Sequence, residues 1–245
     1  AGLVANFGTM TKPFHAGNAA RIGVYSAQLA REGFTADPNA LTGSDGFLEL
    51  YRGDDALKPE IALADLGSSW DILDPGLLVK RWPCCFANHR SISGLLDLMH
   101  ENKIEADDVE LIRVGFPPEA DRALIKDLPK TGLEAKFSIH FCMATTLVDG
   151  SPGLTSFSDD MLRRPEIVNL MRRVEAYPIP DEGVHSGISG YNDLRIVTSR
   201  GTFERRIQHV PGSKERPLSE ADLADKFLSC ARAVMPELDA RQLFE

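Results

Sequence analysis

A lysine and a histidine stand three residues apart near the start of the chain, at the mouth of a predicted helix. Pro13 suits the first helical position, because its missing N–H would have no partner there. Lys12 would then occupy the N-cap, where a cation opposes the helix dipole and Ser, Thr, Asp or Asn is usual. Since local rules tend to fail at functional sites, Lys12, His15 and the free N–H groups are a candidate site for a carboxylate or phosphate. A solvated lysine and a packed histidine are the alternative.

Lys80 and Arg81 open a second basic cluster, and His89 follows just ahead of a predicted amphipathic helix. A cationic pair that leads into a histidine at a helix start repeats the arrangement of the first cluster. Cys84 and Cys85 could form a zinc site with His89, but adjacent cysteines rarely both ligate one ion. We therefore interpret the two cysteines as packing residues, and we expect no metal.

Small residues at helical spacing follow the first cluster. Small side chains let another backbone approach closely, so we expect this helix to be buried among other helices. Gly33 is its predicted C-terminal stop. The residues of this face are Ala16, Ala19, Ala20, Gly23, Val24, Ala27 and Ala30.

The segment 90–210 mixes strand and helix patterns and predicts an α/β unit. A final helix is predicted after Ser219, which with Asp222 has the spacing of a capping box. The other predicted elements are a strand at 109–116, a helix at 135–148, a strand at 173–177, and a hairpin of 193–199 and 202–210.

Composition restricts the class of protein. The chain has 245 residues and a formal net charge of -9, whereas a nucleic-acid-binding protein needs a concentrated basic surface. Its sequence has no apolar run near the roughly 20 residues of a membrane helix, no secretory leader pattern and no glycine-rich nucleotide loop. The four cysteines form no disulfide framework, so we expect a reducing cytoplasm. We expect no nucleic acid, membrane or cofactor as partner.

Four segments resemble the MmgE/PrpD family, in the same order and over nearly the whole chain. They are residues 1–36 with the Thr11-Lys12-Pro13-Phe14-His15 core, 80–89, 135–150 and 211–227. The resemblance implies an α+β fold. In it, 1–80 would be the C-terminal portion of a helical domain, 81–211 a smaller α/β domain with antiparallel strands, and 212–245 a helix that returns to the helical domain. It also implies a homodimer, and we expect the chain to be part of a longer enzyme.

The resemblance further implies a cofactor-independent lyase of the dehydratase type, similar to 2-methylcitrate dehydratase. Such enzymes remove a carbon-bound proton beside a carboxylate of a small di- or tricarboxylic acid. By the same resemblance, Lys12 and Lys80 would hold carboxylates, and His89 would be the general acid or base. His15 would orient Lys12 or touch the substrate, and Arg81 would help to bind it.

Decarboxylation is another reaction of the family. An epimerase of a small dicarboxylate is the closest alternative, because it needs the same base and the same carboxylate clamp. A non-catalytic half that requires a further helical region is a third reading.

Phe141 departs from the family pattern, since several members carry a tyrosine there. A phenylalanine cannot donate a proton. Either the preceding His140 supplies one, or the reaction differs from that of the decarboxylase-like members. A packed, hydrogen-bonded His140 is the plain alternative.

Overall fold

The computed structural model describes residues 2–51, 64–180 and 190–244, and these form the expected α+β fold. The chain divides into two compact units. One comprises Pro13–Leu77, and the other comprises Gly2–Lys12 with Leu78–Glu245. The division predicted from the resemblance, at 1–80, 81–211 and 212–245, stays a prediction.

The first unit contains helices α1 (Thr11–Arg31) and α2 (Phe47–Tyr51), and a short π-helical turn at Ile72–Gly76. α1 begins at Thr11 rather than at Pro13. The Thr9 hydroxyl oxygen accepts a hydrogen bond from the Thr11 N–H at 3.3 Å, and this acceptor lets the helix start earlier than proline chemistry alone predicts. Lys12 therefore lies in the first helical turn, and its prediction as N-cap was wrong.

The end of α1 agrees with the sequence. Gly33 adopts a φ of 87°, and the Phe34 N–H donates to the Leu29 carbonyl at 3.0 Å, as in a glycine-terminated helix. The expected burial of the helix is not found, because none of its residues is buried.

A four-stranded mixed sheet forms the centre of the second unit, in the order β2-β1-β3-β4. β1 pairs with β2 in parallel and with β3 antiparallel, and β3 and β4 form the predicted hairpin. The antiparallel expectation therefore holds for two of the three pairings. The strands are β1 (Val109–Phe116), β2 (Val174–Pro178), β3 (Asn192–Thr198) and β4 (Gly201–Ile207).

The second unit also contains helices. They are α3 (His89–Asn102), α4 (Gly132–Ala135), α5 (Ile139–Asp149), α6 (Asp159–Leu162), α7 (Pro165–Met171), α8 (Glu220–Ala231) and α9 (Glu237–Phe244). Short 3-10 turns lie at Val4–Asn6, Phe86–Asn88, Ala106–Asp108 and Leu154–Ser156.

The core forms where α3 packs on β3 and β4 and α5 packs on β2. Ile92 and Leu95 of α3, and Ile112 of β1, are fully buried there. Gly94 allows this approach, because a Cβ at that position would lie 2.6 Å from the Ile207 side chain. This packing fixes the position of α3 on the sheet. The second basic cluster, which runs from Lys80 to His89, leads directly into this helix.

Candidate functional site

Lys12 belongs to the second compact unit although it lies in α1. Its ammonium nitrogen stands 5.0 Å from the ring centre of Phe7 and 5.8 Å from that of Phe137. The two rings pack together with their centres 5.3 Å apart. A cation–π contact contributes about 0.5–1 kcal/mol at an exposed site. These contacts place the Lys12 ammonium against the unit that carries the sheet.

Lys80 is positioned by a close backbone contact with the loop around Gly212. The Val79 N–H donates to the Gly212 carbonyl at 2.9 Å, and a Cβ on Gly212 would lie only 2.0 Å from the Val79 carbonyl oxygen. Gly212 also has a φ of 93°, which favours glycine. The Lys80 ammonium donates to the Cys84 carbonyl at 3.2 Å.

Cys85 is influenced by the charges of both lysines. Its N–H donates to the Lys136 carbonyl at 2.8 Å, which fixes it beside the residue on which the Lys12 ammonium rests. Burial raises the pKa of the Cys85 thiol, and both Lys80 and Lys12 act in the opposite direction through their charges. The structure therefore brings Lys12 and Lys80 within electrostatic reach of one half-buried thiol.

His89 is fully buried at the start of α3. Its imidazole lies between two aromatic rings, with the Trp82 ring centre at 5.2 Å and the Phe86 ring centre at 5.1 Å. Neither ring nitrogen has a hydrogen-bond partner among the described residues. A buried polar group without a hydrogen bond destabilises the folded state, so its presence requires an explanation such as a catalytic role.

The Cys84 thiol connects His89 to the lysines. Its interaction with the Cys142 thiol lowers the pKa of Cys84, and His89 and Lys80 lower it further against the effect of burial, to about 6. Burial raises the pKa of the Cys142 thiol well above its ordinary value. This thiol pair therefore favours one negative charge, and that charge sits on Cys84, next to the cations.

The Arg81 guanidinium is bound to α8. It forms an ion pair with Asp222 at 2.7 Å and stacks 5.5 Å from the Trp82 ring centre. It borders a cavity of about 260 Å³ that Asp225 and Lys226 also line. A role of Arg81 in substrate binding stays a prediction.

His15 is half-buried on α1 and belongs to the first compact unit. Its role beside Lys12 also stays a prediction.

Phe141 and His140 face different surroundings. Phe141 is fully buried, with its ring centre 5.6 Å from that of Phe157. His140 borders a cavity of about 470 Å³ together with Phe116 and Tyr177. Burial lowers the pKa of His140, and its Nδ1 has no hydrogen-bond partner in the part of the chain that the structure describes.

Sequence reasoning did not identify Cys85 as a site residue, because two adjacent cysteines both looked like packing residues. In the fold Cys84 is 4% exposed, and the half-buried Cys85 packs against the same core. A weak signal was available. Cys85 lies five residues after Lys80, inside the segment that also carries the other predicted site residues.

Within residues 2–51, 64–180 and 190–244, no three His, Cys, Asp or Glu side chains gather in a way that could hold a metal ion. None of the described helices has the length and apolar character needed to cross a bilayer.

Comparison with known proteins gives matches over almost the whole chain. Residues 82–245 match the model of the MmgE/PrpD C-terminal domain, and residues 1–60 match that of the MmgE/PrpD N-terminal domain. Among curated relatives, the human cis-aconitate decarboxylase is 27% identical over 95% of this chain. The mouse enzyme of the same name is 28% identical over 95%, and one from Aspergillus terreus is 23% identical over 98%.

The chain spans about half the length of these relatives. The aligned region covers 48% of the human protein, 48% of the mouse protein and 52% of the fungal protein.

Proposed function

Because this chain belongs to the MmgE/PrpD family, we propose that it supplies the carboxylate-binding part of a lyase active site. The substrate is a small di- or tricarboxylic acid. The reaction begins with removal of a carbon-bound proton beside one of its carboxylates.

The observation that supports this proposal is that both lysines contact the chain segments next to Cys85. The Lys80 ammonium donates to the Cys84 carbonyl at 3.2 Å. The Lys12 ammonium lies 5.8 Å from the ring centre of Phe137, which follows the residue that accepts the Cys85 N–H. The net charge of the chain is -9, so a small anion is attracted only where cations are concentrated locally. Both lysines are exposed, and Cys85 is half-buried. An acid with two or more carboxylates can place one beside each ammonium group.

The same ammonium groups assist the chemistry. Removal of a proton beside a carboxylate spreads negative charge onto its oxygens, and preorganised cations stabilise the charge that develops. His89 is the proposed general acid or base, and it has unpaired ring nitrogens that can accept a proton. His15 and Arg81 are proposed to contact the substrate or its lysines.

Dehydration and decarboxylation both fit this arrangement. The resemblance in the sequence favours a dehydratase of the 2-methylcitrate type. Decarboxylation is the second candidate, because the relatives described above are named cis-aconitate decarboxylases. An epimerase would use the same clamp but would return the proton to carbon without loss of water or carbon dioxide.

Proton NMR in deuterium oxide separates these reactions in one experiment. The purified chain is incubated with 2-methylcitrate, cis-aconitate or a small hydroxydicarboxylate. We expect loss of water or of carbon dioxide from one of these acids, and loss of that turnover in Lys12→Met and Lys80→Met.

The exposed Lys130→Met is the matched control and should keep the activity. Exchange of a carbon-bound proton alone would favour the epimerase and overturn the lyase. Absence of any reaction, while a tricarboxylate still binds, would favour a half that requires a further helical region.

A further inference from the structure

The backbone around Cys85 is bonded on both sides to groups that carry or hold a cation. On one side, the Cys85 N–H bonds to the Lys136 carbonyl at 2.8 Å. The next residue, Phe137, carries the Lys12 ammonium 5.8 Å from its ring centre. The Lys12 charge is thus attached to the same stretch of chain that anchors Cys85.

On the other side, the Lys80 ammonium donates to the carbonyl of Cys84 at 3.2 Å. This carbonyl belongs to the peptide bond that leads directly into Cys85. Two ammonium groups from distant parts of the sequence therefore approach one residue, each through a contact that positions it.

The two neighbouring cysteines differ in access. Cys84 is buried in the hydrophobic core, while Cys85 is only partly covered. Of the two neighbouring cysteines, Cys85 is therefore the more accessible to a small reagent or ligand. Because burial raises the pKa of the Cys85 thiol, it carries its proton near neutral pH.

We propose that Cys85 is a ligand-contacting residue of the carboxylate site, and that its thiol is a modification site selective for electrophiles that carry a carboxylate. This inference rests on the proposed function, because it assumes that the two lysines hold a carboxylate. The anion is bound by Lys12 and Lys80, and its carbon chain lies against the Cys85 sulfur.

Alkylation by two reagents of different charge tests this proposal. Iodoacetate carries a carboxylate and iodoacetamide does not. With either reagent the Cys85 thiol first gives its proton to water. The sulfur then attacks the methylene carbon, an S–C bond forms, the C–I bond breaks and iodide leaves. Both reagents use the same thiolate, so the ratio of their rates at one cysteine is independent of its pKa.

The rates are measured by mass spectrometry of the modified peptides in the intact, folded chain. Cys230, which is exposed, is the internal reference. We expect the iodoacetate-to-iodoacetamide ratio at Cys85 to exceed that at Cys230 by about tenfold, the lower range for local electrostatic attraction. Lys12→Met and Lys80→Met should each reduce the ratio at Cys85, and Lys130→Met should not.

Propane-1,2,3-tricarboxylate, an unreactive tricarboxylic acid, should slow the labelling of Cys85 and leave that of Cys230 unchanged. Equal ratios at the two cysteines, or no protection by the tricarboxylate, would overturn the proposal. If NMR shows turnover but the ratios are equal, only the role of Cys85 fails. If the ratio at Cys85 is high and the tricarboxylate slows its labelling, but no acid reacts in the NMR experiment, the anion site is supported and the proposed lyase activity is overturned.

Discussion

The Cys84 thiol shows how single residues shape the candidate site. It lies in the core, yet the Cys142 thiol, His89 and Lys80 all favour its negative form. A negative charge on this buried thiol attracts the Lys80 ammonium from inside the protein. His89, which was predicted as the catalytic acid or base, is one of the groups that lower the pKa of this thiol.

This arrangement predicts a thiolate at unusually low pH. The pKa of Cys84 falls from 9.0 to about 6 on folding, so the folded chain releases this proton earlier than the unfolded chain. Stability from this group is therefore absent below about pH 6, grows between about pH 6 and 9, and is fully present above that range. Ultraviolet absorbance of the thiolate should show a step in the lower part of this range.

Cys84→Ala should remove this step, whereas Cys230→Ser should leave it in place. Persistence of the step in Cys84→Ala would show that another thiol carries the charge.

His89→Phe tests whether the imidazole acts through Cys84. Phenylalanine preserves the packing between Trp82 and Phe86 but removes the group that lowers the pKa of Cys84. We expect the thiolate step to move to higher pH while the far-ultraviolet circular dichroism stays unchanged. A merely structural histidine would leave the position of the step where it is in the unmodified chain.

At the scale of elements, the loop around Gly212 determines where Lys80 lies. Any side chain introduced at Gly212 would be strained for two reasons. The backbone φ there is 93°, and a Cβ would lie 2.0 Å from the Val79 carbonyl oxygen. Gly150 shares only the first reason, since its φ is 77° and nothing lies within 4 Å of a Cβ there. The two glycines therefore form a matched pair.

Gly150→Ala should lower the free energy of unfolding by about 1 kcal/mol, the cost of a left-handed alanine. Gly212→Ala should lower it by at least about 2 kcal/mol, because the backbone of residues 78–80 must also move. Urea denaturation measures both values. Equal losses would mean that the contact between Val79 and Gly212 does not position the cluster.

The elements themselves were largely predictable from local patterns. β1 was predicted with its observed bounds, Val109–Phe116, because its β-branched run ends at two prolines. The capping box of Ser219 and Asp222 was also confirmed. Errors arose where a polar side chain competes with periodicity. The helix predicted from 135 begins at Ile139, since the Ser138 hydroxyl oxygen accepts the Phe141 N–H at 3.2 Å.

The candidate site was less predictable than the fold. Lys12 and Lys80 were selected by residue type and by resemblance, and no local pattern predicts that segments so distant in sequence contact one region. Cys85 was interpreted as a packing residue, and local patterns do not predict its tertiary hydrogen bond to the Lys136 carbonyl. Local sequence patterns also do not predict that β1 pairs with β2 in parallel.

At the scale of the whole molecule, the expected homodimer stays a prediction. Light scattering coupled to gel filtration should give about twice the 26.9 kDa of one chain. A mass equal to one chain across a range of concentrations would contradict it.

The central claim is that Lys12 and Lys80 hold the same anion. Isothermal titration with propane-1,2,3-tricarboxylate, on the unmodified chain and on Lys12→Met, Lys80→Met and the double variant, tests it most directly. We predict one binding site per chain and an affinity loss of about tenfold or more in each single variant, the effect of a lost charge-assisted hydrogen bond. We also predict a coupling energy of at least about 0.5 kcal/mol between the two positions. Additive losses, or two separate binding sites, would contradict it.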